Sequence, residues 1–135
     1  MNKQFFISLF FALVTFIILG GVFANFVFLP EFEIWHGAYP EAVREAPDFI
    51  SGLVLGLLQL IGFIILLPKL QIATGSGAAI FGAIYSVVIW LIVDLQMVSV
   101  TNIVSYEYVL KDALLSAVMG AILGVVVSWS QRRFA

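Results

Sequence analysis

Residues 5–29 read FFISLFFALVTFIILGGVFANFVFL, an apolar run without a charged side chain. As a helix it rises roughly 37 Å at 1.5 Å per residue. That is enough to cross a hydrocarbon core of about 30 Å. Working outward along the chain, three more such runs follow, at 49–67, 70–93 and 113–130. In lipid, backbone amides must find partners within their own segment, so helices are the expected form. A β-barrel would show short alternating strands, and the runs do not alternate. The expectation is an all-α membrane protein: one domain, residues 1–135, folded as a four-helix transmembrane bundle.

Composition points the same way. The chain is 63% hydrophobic and only 10% charged, against roughly 25% charged in a soluble domain. Mean hydropathy is +1.16. Lipid is therefore the expected solvent and first partner. The net charge of −2 and six scattered basic residues make no phosphate-binding stripe, so no nucleic-acid partner is expected. The absence of cysteine excludes disulfides, thiolate metal sites, iron–sulfur clusters and cysteine nucleophiles. A single histidine excludes bis-histidine haem within one chain, and no cofactor is expected.

The first run has features of a signal peptide: Lys3 as a basic n-region and Val22-Phe23-Ala24 as a small-residue site. It is longer than the usual apolar segment, and an uncleaved first helix is expected. Basic residues then set the orientation. Lys3, Lys69, Arg132 and Arg133 fall on one side of the bundle, Arg44 and Lys111 on the other. The positive-inside rule puts both termini in the cytoplasm. All eight acids, from Glu31 to Asp112, fall at the outer ends or outer loops. Trp35, Trp90, Tyr106 and Tyr108 are expected near the outer interface and Trp129 near the inner one.

Two small-residue patterns invite comparison. Asp48 and Asp112 each open an outward-to-inward run, followed at equal spacing by Gly52 and Ser116, then Gly56 and Gly120. The offset suggests two similar two-helix hairpins related by an axis along the membrane normal. Both Asp residues read as helix N-caps. Gly52-x-x-x-Gly56, Ala78-x-x-x-Gly82 and Ser116-x-x-x-Gly120-x-x-x-Gly124 read as helix-packing faces. Such faces serve packing within the bundle or docking of another subunit.

Chemistry is sparse. Glu31, Glu33 and His36 lie close enough in sequence to offer ligands to a divalent metal, though the spacing matches no standard motif. The alternative is a solvated acidic loop anchored by Trp35. Pro40 before Glu41–Glu45 suggests a short helical turn. Asp94 ends the third run. If that helix starts near Leu70, Asp94 lies roughly 18 Å past its midpoint and reaches the interface. If it starts near Ala78, Asp94 enters the membrane and becomes a functional candidate. Gln59 and Tyr85, deeper in the bundle, complete a candidate ligand or ion site with Asp94. The connection from Leu95 to Leu110 is unusually apolar. It extends the third helix, lies along the interface, or is covered by a partner.

The segment from Gly82-Ala83-Ile84-Tyr85 to Asp94-Leu95, followed by Lys111-Asp112-Ala113-Leu114-Leu115-Ser116-Ala117-Val118-Met119-Gly120-Ala121-Ile122-Leu123-Gly124, resembles small four-span bacterial membrane families of unknown function. Trp35 and Gly37 correspond to an outer Trp and Gly in those families. One of them carries Asp-Leu-Thr-Asn where this chain has Asp94-Leu95-Gln96-Met97. The resemblance implies a bacterial inner-membrane bundle and brings no activity with it.

The leading expectation is a non-enzymatic subunit or accessory factor of a larger membrane assembly, with other membrane subunits or a second copy as partners. The runner-up is a small transporter or ligand-binding bundle with its site between the hairpins, at Asp94, Gln59 and Tyr85. A third reading is the metal-binding outer loop.

Overall fold

The computed structural model describes residues 3–134, and these form an all-α bundle. Helix α1 (Lys3–Phe23) runs through a π-helical turn (Ala24–Phe28) into α2 (Leu29–Ala38). The π turn sits just before Pro30. Proline has no amide hydrogen, and its ring crowds the carbonyl four residues back. A wider turn absorbs that conflict without stopping the helix. Together α1 and α2 are longer than a bilayer needs, and α2 carries Glu31, Glu33 and His36. Helix α3 (Phe49–Lys69), α4 (Gly75–Val100) and α5 (Tyr106–Arg133) complete the bundle. Four helices, with α1 and α2 counted as one, are long and apolar enough to cross a membrane.

The ends have local causes. Asp48 caps α3 by accepting from the Ser51 amide at 3.2 Å, and from the Ser51 hydroxyl. At the other end, Gln71 takes a left-handed conformation with φ 57°. The Gln71 amide donates to the Pro68 carbonyl and the Ile72 amide to Leu67. This is a Schellman turn, formed here without glycine. Thr74 then caps α4 through the Gly77 amide at 3.0 Å, and Ser105 caps α5 through the Tyr108 amide at 3.2 Å.

These caps revise two expected boundaries. The third helix starts at Gly75, not near Leu70, and runs on to Val100. The fourth begins at Tyr106, seven residues earlier than the apolar run suggests. The apolar connection from Leu95 to Leu110 is therefore mostly helix, with residues 101–105 as the link. Val104 and Val109 are buried.

The helices pack unequally. The α4–α5 pair is the most intimate, α1 lies on α5 and then on α3, and α3 meets α4 lightly. Where α4 crosses α5, backbone meets backbone. A methyl group on Gly82 would sit 2.0 Å from the Gly120 carbonyl oxygen, and one on Gly124 2.0 Å from that of Ala78. Only small residues allow such an approach. On the other side, Phe16 of α1 lies over Gly56 of α3, its ring 2.6 Å from where a methyl would be. Gly52, expected on a packing face, has nothing within 4 Å. It points away from the bundle, because α1 covers α3 only lower down.

The core joins Ala12, Leu60, Phe63, Ile64, Leu67, Ala78, Leu123 and Val127. Phe63 stacks on Phe81 with ring centres 5.4 Å apart. A buried Ser8–Ser130 hydrogen bond of 2.9 Å joins α1 to α5, and Gln131 donates to the Ile64 carbonyl of α3. Gln4 donates to the Gln131 carbonyl, so both termini lie at one end of the bundle. Large apolar side chains such as Phe10, Phe26, Ile50, Ile80 and Ile92 point outward on every face, as lipid permits.

Candidate functional site

Starting from the Gly82–Gly120 contact, three helical turns toward the far end bring Asp94 of α4 level with Tyr108 of α5. Asp112 lies one turn deeper on α5, at the same face as Tyr108. The carboxyl groups of Asp94 and Asp112 are within hydrogen-bonding reach of each other. Both residues are buried, with 6% and 4% of their surface exposed. The Ser116 hydroxyl donates to Asp112 Oδ1 at 3.5 Å. Asp94 Oδ2 is buried and has no hydrogen-bond partner.

Asp94 is thus buried inside the bundle, on a helix that starts at Gly75. The N-cap reading of Asp112 is corrected. Asp112 lies inside α5, since Ser105 caps that helix. Asp48 and Asp112 therefore occupy unlike places, one an exposed cap and the other a buried carboxyl.

Above the pair sits an aromatic lid. Tyr108 is half-buried and close to Asp112, Asp94 and Glu31. Its ring meets Trp35 edge-on at 4.7 Å and Phe28 at 6.3 Å. Sequence reasoning placed Tyr108 at the interface and missed this role. Lys111 Nζ bonds Glu31 at 2.6 Å and lies 3.5 Å from Glu107. The π turn and Pro30 aim α2 so that Glu31 and Trp35 lean over α5.

Gln59 and Tyr85 do not join Asp94. They form a separate cluster nearer the middle of the bundle. The Tyr85 hydroxyl donates to the Gln59 carbonyl at 3.0 Å, and Gln59 Nε2 to Ser86 Oγ at 3.4 Å. Beside them is a void of about 10 Å³, the lower limit for one water, and Gln59 Oε1 is buried without a partner. The expected three-residue site is thus two sites, because Tyr85 and Asp94 are more than two turns apart on α4.

The metal reading is also corrected. Among the described residues no group of three His, Cys, Asp or Glu side chains converges to hold a metal. Glu31 is engaged by Lys111, and His36 Nδ1 bonds the Val43 carbonyl at 2.7 Å. Glu33 is exposed and lies on the other side of α2 from Glu31. The short turn after Pro40 is present, closed by Ala42 and Val43 amides donating to the Tyr39 carbonyl. An open apolar groove of about 480 Å³ lies at the terminal end, lined by Lys3, Phe6, Ile7, Phe10, Phe11 and Phe134. It gathers no converging polar groups.

A cue to Asp112 was present. Val109, Asp112, Ser116, Gly120, Leu123 and Val127 recur at three and four residues and are all buried on one stripe of α5. Reading the helix back to Ser105 would have put Asp112 on that stripe. Compared with known protein families, curated proteins and solved structures, the chain matches none.

Proposed function

We propose that this protein is a small, non-enzymatic ligand-binding or transport bundle whose site is the carboxyl pair Asp94–Asp112. One observation carries the reading: an unpartnered carboxylate oxygen, buried against a second buried carboxyl within a membrane-spanning hairpin. Ionisable groups buried in such a hairpin are costly and mark ion or substrate sites. Two acids select a positively charged ligand. The setting is a bacterial inner membrane with both termini cytoplasmic, supported by Lys3, Lys69, Arg132 and Arg133 at the terminal end.

Proteoliposomes test it. Charge movement on addition of sodium, potassium or methylammonium is recorded for the wild type and for Asp94→Asn. A response in the wild type that the variant abolishes is expected. Equal traces from both proteins would sink the reading.

A second reading, a subunit of a larger membrane assembly, draws on one feature of α3. Gly52 opens a notch on an outward face beside exposed Phe49 and Ile50. A helix from a partner or from a second copy fits such a notch. Native mass spectrometry from mild detergent checks it, and a lone monomer would rule it out.

A further inference from the structure

An ionised carboxylate only accepts hydrogen bonds, whereas a protonated one also donates. Asp94 and Asp112 face each other, and two ionised groups would set lone pairs against lone pairs with no donor between them. Asp94 Oδ2 has no donor from any neighbour, and Asp112 has the Ser116 hydroxyl. The closest cation cannot compensate them, since Lys111 is turned to Glu31 and Glu107. A metal lacks a third acidic or histidine ligand among the described residues. A proton alone satisfies the geometry, because it turns one acid into the donor that the other needs.

We propose that Asp94 and Asp112 hold a single proton between them. This rests on the reading of the pair as the functional site and names its resting occupant. The groups that face the pair are Tyr108 and Ser116 of α5, with Glu31 of α2 and Lys111 of α5 above Tyr108. Toward the termini α4 and α5 meet backbone to backbone at Gly82 and Gly120.

Difference infrared spectroscopy of the full chain in nanodiscs, between neutral and alkaline pH, reads the carbonyl band of a protonated carboxylic acid. One such band is expected in the wild type at neutral pH, lost in both Asp94→Asn and Asp112→Asn and kept in Glu31→Gln. The wild-type measurement needs no variant to fold. No protonated band in the wild type, or a band that survives both Asn substitutions, overturns the shared proton. Failure of the parent reading looks different. The band would be present while the proteoliposomes respond to no cation. Cation-driven charge movement without the band would sink the proton and leave the site.

Discussion

The two sides of the bundle use small residues in opposite ways. Between α4 and α5, Gly82, Gly120 and Gly124 remove side chains so that backbones touch, and nothing there can yield. Between α1 and α3, Gly56 makes room for one ring, Phe16, and Gly52 makes room for nothing within the chain. The same spacing in sequence thus marks a rigid seam in one place and an open face in another. The rigid seam is also what fixes the register of α4 on α5, and so brings Asp94 and Asp112 together.

The largest effect should come from the seam. Gly120→Leu must move the Gly82 backbone, and overpacking of this kind costs about 3 kcal/mol or more. Loss of a monodisperse species in fluorescence-detected size exclusion is expected, and a wild-type profile would break the comparison. The carboxyl pair comes next. Asp94→Leu leaves Asp112 buried without its partner, at a cost of about 2 kcal/mol. Asp94→Leu with Asp112→Leu should recover much of that loss, since replacing both members of a buried polar pair is close to neutral. A double-mutant cycle of melting temperatures checks the coupling, and simple additivity would separate the two acids.

On the looser side, Gly56→Ala pushes only against the edge of the Phe16 ring, which can turn. It should cost about 1 kcal/mol. Gly52→Leu should change monomer stability by no more than about 0.5 kcal/mol. Thermal melts of the two variants side by side sharpen the contrast, and loss of a co-purifying partner in Gly52→Leu alone would favour the subunit reading. The smallest effect concerns the cap at the loop end. Hydrogen bonds from Ser51, hydroxyl first and amide second, hold the Asp48 carboxyl below its ordinary range. A lowered folded value means the cap stabilises above the unfolded pKa, near 3.8, and fades as pH falls through the folded value. Asp48→Ala should therefore lower the melting temperature at neutral pH, and the difference should vanish in acid.

Legibility followed the reach of each force. Asp48 was readable as a cap because a cap bonds within its own turn. The Gly82 and Gly120 faces were readable as small-residue stripes, but nothing local says which stripe they meet. The start of α4 was misplaced because Leu70, Gln71 and Ile72 look like the opening of an apolar helix. Gln71 instead takes the left-handed turn, a conformation that its residue type does not advertise.

By itself, then, the sequence determined four helices long and apolar enough to cross a membrane, with basic residues gathered at the terminal end. Solvent transfer decides such matters, and it depends on composition summed along each run. Only the tertiary structure decided that Asp94 meets Asp112 under Tyr108, that Gln59 and Tyr85 stand apart from them, and that Gly52 faces outward. Those outcomes depend on the register between helices. Register is set where backbones touch, at Gly82, Gly120 and Gly124, by contacts between residues far apart in the chain.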